Sequence, residues 1–193
     1  LAAQAAPAKV VSLLISDVPG DDPGVIGSGP TVPDPTSFGD ARAIVEKFNI
    51  KLPNAVARYL ECGEPETPNP GDPIFASTDV RLTARPSASL VAAAEKARKT
   101  GLNVHILSDA LEGEARDVAA DHAKLAISIR DCNEPIATPA VILSGGELTV
   151  TITGSGGGGP NGEYMLAMAI ELNGAERIYA IACDTDGIDG SED

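Results

Sequence analysis

Aromatic side chains are nearly missing from this chain: three Phe, three Tyr and no Trp in 193 residues. A core without large rings has to be assembled from Ala, Val, Leu and Ile. With Gly and Pro frequent as well, that composition suits helices packed on parallel strands better than an all-β sandwich. Positive charge is scarce too. Fourteen Lys and Arg face twenty-eight Asp and Glu, a formal net charge of −14. Such a surface repels nucleic acid and anionic membranes, so neither is expected as a partner. It also repels a nucleotide unless Mg²⁺ or local backbone dipoles intervene. The three cysteines, Cys62, Cys132 and Cys183, are odd in number, far apart and in no metal-ligand spacing. They argue against a disulfide framework and for a reducing compartment, the cytoplasm. No apolar run approaches membrane-spanning length. Leu1–Lys9 is too short, and too uncharged at its start, for a signal peptide.

What is present is an alternation of apolar runs and amphipathic stretches. Strands are predicted at Val10–Ser16, Val80–Ala84, Leu102–Leu107, Ala140–Leu143, Leu148–Thr153 and Arg177–Cys183, the first a continuous apolar run suited to burial on both faces. Helices are predicted over Gly39–Lys47, capped by Thr36 or Ser37, and from Pro53 to about Glu61. Others run from a cap at Ser87 or Ser89 to about Lys99, from Glu112 to about Ala126, and over Gly162–Leu172. Gly63–Pro73 reads as a Pro-rich surface loop, and Cys132–Pro135 as a loop marking a boundary. The β-α-β-α order implies an α/β fold with a mainly parallel sheet. At this length one or two domains are expected.

The stretch Gly145–Glu163, GGELTVTITGSGGGGPNGE, organises the chemistry. Alternating Leu148–Thr153 leads into Gly154 and Gly156–Gly159, and Asn161 with its apolar stripe opens a helix. Glycines expose bare backbone N–H groups, and a helix N-terminus favours an anion, most naturally a phosphate. The plainer reading is a flexible hairpin tip. Two acidic turns follow predicted strands, where open α/β sheets bind ligands. Asp17, Asp21 and Asp22 can hold Mg²⁺ or simply turn the backbone. Asp184, Asp186 and Asp189 suit Mg²⁺ or a substrate hydroxyl, or an Asx-rich turn. The latter lacks the downstream ligands of a calcium loop. His105 and His122 have no neighbours at ligand spacing and read as structural.

Taken in order, the motifs Ser16–Pro23 (SDVPGDDP), Gly27–Thr31 (GSGPT), Asp109–Arg116 (DALEGEAR), Ser144–Glu147 (SGGE) and Thr185–Gly190 (TDGIDG) resemble the class II glycerate 2-kinase family. Its members are often named hydroxypyruvate reductases. The resemblance implies two domains: residues 1–136 as part of a Rossmann-like, mainly parallel α/β domain, and 137–193 as part of a smaller C-terminal α/β domain of the MOFRL type. It implies transfer of the γ-phosphoryl group of ATP to the 2-hydroxyl of D-glycerate with Mg²⁺, a chemistry of positioning and charge neutralisation. The catalytic residues it implies are Asp17, Asp186 and Asp189, and the metal ligands Asp21 and Asp22. Ser28, Gly29, Thr31, Gly145, Gly146, Glu147, Gly156, Asn161 and Glu163 would contact substrate or nucleotide, and a homodimer is compatible with it. The sequence departs from the family pattern in its glycine loop. Where GKGRGGRNQE occurs, this chain has Ser155, Gly157 and Pro160 for the basic residues and Gly162 for Gln. The family's N-terminal lysine segment and C-terminal elements are expected outside these residues, so the chain reads as a fragment unable to turn over substrate alone. Two other readings stand beside the kinase. One is an NAD(P)H-dependent hydroxypyruvate reductase, because Gly154, Gly156 and Gly159 match a dinucleotide spacing. The other is a non-catalytic binding remnant.

Overall fold

The computed structural model describes residues 1–63, 65–185 and 187–191. It is an α/β structure of helices and parallel strands that divides into two compact units: Leu1–Ser16 with Asp21–Ala84, and Asp17–Gly20 with Arg85 onward.

In the first unit a short helix α1 (Ala2–Ala5) precedes strand β1 (Val10–Ile15). A 3-10 turn at Ile26–Ser28 and helices α2 (Phe38–Lys47) and α3 (Asn54–Cys62) follow, and the unit closes with β2 (Thr78–Ala84). Helix α2 starts where a cap was expected: Ser37 Oγ accepts from Asp40 N–H, and Asp40 Oδ2 accepts from Ser37 N–H at 2.9 Å, a reciprocal capping box. Helix α3 stops on Gly63, whose φ of 66° suits a residue without Cβ. Strand β1 pairs in parallel with β2, Val10 opposite Thr78 and Leu14 opposite Leu82. The expectation that β1 is buried on both faces is corrected. Val10, Ser12 and Leu14 are half-buried, whereas Val11, Leu13 and Ile15 are exposed on the other face.

The second unit holds α4 (Pro86–Lys99), β3 (Asn103–Ile106), β4 (Leu111–Glu114), α5 (Ala115–Cys132), β5 (Ala140–Leu143), β6 (Gly146–Thr149) and α6 (Pro160–Leu172). Strand β3 runs parallel to β5, and β4 parallel to β6. The unit's core is the seam between α5 and α6, where Ala119 and Ala123 meet Met168, flanked by Tyr164, Ala167 and Leu172. Small alanines let the two helices approach closely, which is how a chain poor in aromatics fills its interior. At the rim of this seam His122 Nδ1 and the Tyr164 hydroxyl lie 2.7 Å apart.

Five sequence-based expectations change here. Helix α4 is capped by neither Ser87 nor Ser89; it starts at Pro86, whose fixed φ and missing N–H fit the first helical position. Leu111–Glu114 is strand, not the start of a helix, because it pairs with β6 (Leu111 opposite Gly146, Glu114 opposite Thr149). The helix then runs from Ala115 to Cys132, beyond the expected end, and closes on Asn133 in the left-handed conformation. The alternating stretch ends as a paired strand at Thr149, and Ile152 is exposed. Residues 177–183 form no strand: Tyr179 and Ile181 are 94% and 88% exposed. A strand exists only where a neighbour supplies hydrogen bonds, and these residues pair with none among the described residues.

Candidate active site at the glycine loop and the acidic turns

The acidic turn of the first unit is built by local hydrogen bonds. Asp22 Oδ1 accepts from Gly24 N–H at 2.8 Å, an Asx turn. The following bend depends on Gly29, at φ 56°: a Cβ there would lie 2.8 Å from Gly24 O and 2.9 Å from Val32 Cγ2. Ser28 also adopts positive φ, 62°. Thr31 Oγ1 accepts from Ser12 Oγ at 2.7 Å, which ties the loop to β1. One loop thus carries Asp21, Asp22, Ser28, Gly29 and Thr31. Asp17 belongs to the second unit.

In the second unit the Gly145-Gly146 pair has a structural cause. Gly145 N–H donates to Ser108 O, and its carbonyl accepts from Leu111 N–H, both at 2.9 Å. A Cβ on Gly146 would collide with the Leu111 backbone. Glu147 lies on β6 and is exposed. Gly154 and Gly156 stand in open space. Among the described residues no acceptor is met by the backbone N–H groups of Gly154, Gly156 or Gly157.

The far end of the loop is closed by a carboxylate. Helix α6 has Gly159 at its N-cap position, so it has no side chain of its own to satisfy its first N–H groups. Asp189 supplies the cap from 28 residues away: Oδ1 accepts from Asn161 N–H at 2.9 Å and Oδ2 from Gly162 N–H at 2.7 Å. Asn161 Nδ2 donates to Asp184 Oδ1 at 2.8 Å. Ser191 Oγ accepts from Gly158 N–H at 3.0 Å. A cleft of about 330 Å³ opens between Asn161, Gly162 and Met165 on one side and Ala182–Asp184 with Asp189 on the other. Among the described residues, the charged groups lining it are the carboxylates of Asp184 and Asp189. The expectation that the α6 N-terminus offers itself to a phosphate is therefore corrected: that position is filled by Asp189. Asp186, expected beside it, lies outside the described residues.

Near the start of the loop, Glu114 takes both the N–H and the hydroxyl of Thr151, and Arg116 lies between Glu114 and Glu163. The Glu114 carboxyl is held below the usual carboxylate range, first by the Thr151 N–H and then by its hydroxyl. Sequence reasoning missed Glu114, Thr151 and Arg116 as a group. Their traces in the sequence are separate, Glu114 and Arg116 in the run DALEGEAR and Thr151 in the alternating stretch tens of residues away.

Among the described residues no three His, Cys, Asp or Glu side chains gather as a metal-holding group. Mg²⁺ commonly binds through one or two carboxylates completed by water and phosphate oxygens. Asp21 and Asp22, adjacent on one loop and offering hard oxygen donors, fit that pattern, with Asp22 Oδ1 shared with Gly24 N–H.

Residues 1–61 match a domain of unknown function, DUF4147, and residues 140–193 match the MOFRL family. An Agrobacterium vitis protein named "Putative hydroxypyruvate reductase" is 52% identical over 195 aligned residues, covering 100% of this chain and 44% of that protein. A Pyrococcus horikoshii protein named glycerate 2-kinase is 37% identical, covering 95% of this chain and 42% of its own length. The crystal structure of a glycerate kinase from Thermotoga maritima superposes with a TM-score of 0.76 at 34% identity, covering 91% of this chain and 41% of that one. The chain spans about half the length of the curated relatives it matches, or less.

Proposed function

We propose, from a chain whose residues 140–193 are a MOFRL-family segment and whose homologues are named glycerate 2-kinase and hydroxypyruvate reductase, that the full-length protein phosphorylates D-glycerate at its 2-hydroxyl, with ATP as donor. The observation that carries this reading is the similarity to proteins named glycerate 2-kinase along 95–97% of the chain. The geometry supports it through the glycine loop, whose open amides at Gly154, Gly156 and Gly157 are donors for phosphate oxygens.

In this reading the loop amides, Gly156 among them, orient the phosphates. Asn161, Glu163, Gly145, Gly146 and Glu147 shape the surface around them. Asp17 orients the glycerate hydroxyl, Ser28, Gly29 and Thr31 line the substrate's side, and Asp186 completes the acidic turn. Asp189 acts through α6: by capping Asn161 and Gly162 it sets where the loop ends. Asp21 and Asp22 would hold Mg²⁺, which supplies neutralisation of the charge on the transferring group. We assign residues 1–136 and 137–193 to two domains of the longer protein. We place the activity in the cytoplasm on the odd number and wide spacing of the three cysteines. Among the described residues no helix is long and apolar enough to cross a membrane.

The reductase reading has the 52% identity to the Agrobacterium vitis protein in its favour. The geometry speaks against a dinucleotide cradle. Such a cradle needs a tight strand-to-helix turn with pyrophosphate on the helix N-terminus. Here β6 ends at Thr149, α6 begins at Pro160, and Asp189 occupies the helix end. The test is a pair of assays on the longest natural protein containing this sequence. ADP release that depends on D-glycerate and Mg²⁺ is expected. NAD(P)H oxidation with hydroxypyruvate, without ADP release, would overturn the proposal. Silence in both would leave the binding-remnant reading.

A further inference from the structure

The glycine loop is tied at both ends, and the tie at its start runs through side chains with no role so far. Glu114 sits at the N-cap position of α5, yet its side chain caps nothing there. Oε1 instead accepts from Thr151 N–H at 3.0 Å and Oε2 from the Thr151 hydroxyl at 2.9 Å. Arg116 stands in the first turn of α5, where a cation opposes the helix dipole. Its Nε lies 3.5 Å from Glu114 Oε1 and its Nη2 3.2 Å from Glu163 Oε1. Thr151 precedes the loop and Glu163 follows it.

Arg116 is a poor choice for its own helix, a guanidinium at the positive end, and Glu114 leaves α5 without a side-chain cap. Local and global demands conflict in this way where a residue serves another purpose. The ion pairs cannot be that purpose, because pairs this open to solvent contribute little stability. What the two side chains accomplish together is geometric. The carboxylate fixes Thr151, just before the loop, and the guanidinium spans from there to the first turn of α6. With no basic side chain between Gly154 and Gly159, this loop can address an anion only through backbone amides, and amides act only if the backbone is held in place.

We infer that Glu114 and Arg116 are positioning residues that clamp the two ends of the glycine loop. The consequence for turnover rests on the kinase reading above; the clamp itself does not. The test uses the full-length protein and the variants Glu114→Ala, Glu114→Gln and Arg116→Ala. Glutamine keeps an acceptor for Thr151 N–H and a partner for the hydroxyl, so it should rescue. Hydrogen exchange at the two bonded amides of this stretch, Thr151 N–H on Glu114 and Gly158 N–H on Ser191, should accelerate in Glu114→Ala, at least tenfold at Thr151, and by less in Arg116→Ala. It should stay within threefold of wild type in Glu114→Gln, with protection along the α5–α6 seam unchanged in all three. With MgATP as probe, Glu114→Ala should raise KM about tenfold or more while the melting temperature stays put. Exchange at Thr151 and Gly158 that is unchanged in Glu114→Ala overturns the clamp, whatever the kinetics. If wild type shows no glycerate-dependent ADP release, the kinase reading falls and exchange alone decides the clamp.

Discussion

Replacing Asp189 with alanine isolates the contact that ends the glycine loop. The carboxylate accepts from two backbone N–H groups in the first turn of α6, at 2.9 and 2.7 Å, and from the Asn161 amide at 3.3 Å. Losing a side-chain N-cap costs about 1 kcal/mol, with a range of about 0.5–2. Losing a negative charge at a helix N-terminus adds about 0.3–1 kcal/mol. The two together come to about 2 kcal/mol, which at this chain length lowers the melting temperature by about 4–8 °C. Asp189→Asn keeps a neutral acceptor and should lose about half as much. A partner substitution tests the cause. Gly159 has an extended φ of −151°, which any residue adopts, but a Cβ there would collide with the Asp189 carboxylate and backbone. Gly159→Ala therefore breaks the same cap from the other side, and the double variant should be destabilised by clearly less than the sum of the singles. Thermal melts, with exchange rates at Asn161 and Gly162, read all four proteins. An Asp189→Ala protein that melts within about 1 °C of wild type and protects those amides equally refutes the cap.

Further outcomes follow from the same geometry. Burial between α5 and α6 pulls the His122 imidazole below its usual value near 6.5. A depressed histidine stabilises the fold above its unfolded pKa, and that contribution disappears as pH falls through the folded pKa. Wild type should thus lose more stability than His122→Gln between about pH 7 and pH 5, read as melting temperature against pH. In the first unit Gly29→Ala meets both positive φ and close atoms, whereas Gly27→Ala meets only positive φ with open space around it. The first should cost at least 1 kcal/mol more than the second, about 1–2 kcal/mol being the ordinary left-handed penalty, as measured by urea unfolding. Asp22→Asn can still accept from Gly24 N–H and should leave stability within about 0.5 kcal/mol while raising the Mg²⁺ concentration needed for activity. Asp22→Ala should lose both the turn and the Mg²⁺ response.

Features whose cause lies within a few residues were legible in the chain alone. The cap at Ser37, the end of a helix near Glu61 and the apolar runs of β1, β3 and β5 act at short range, and the structure places elements there. Pro86 and Pro160 hold the first helical positions of α4 and α6, within three residues of the expected starts at Ser87 or Ser89 and Asn161. The α/β class follows from the same local pattern.

What only tertiary structure decided depends on partners distant in sequence. Leu111–Glu114 became strand because β6 lies beside it, while residues 177–183, equally strand-like in composition, have no described strand neighbour and stay unpaired. The N-terminus of α6 reads as an empty anion site until Asp189 is found in it. Glu114 and Arg116 look like the opening charges of a helix until Thr151 and Glu163 are seen at their ends. Propensity and capping are set by near neighbours, so they can be read along the chain. Strand pairing, an acceptor donated from another segment and a bridging guanidinium are set by what lies close in space, and a linear pattern carries no record of that.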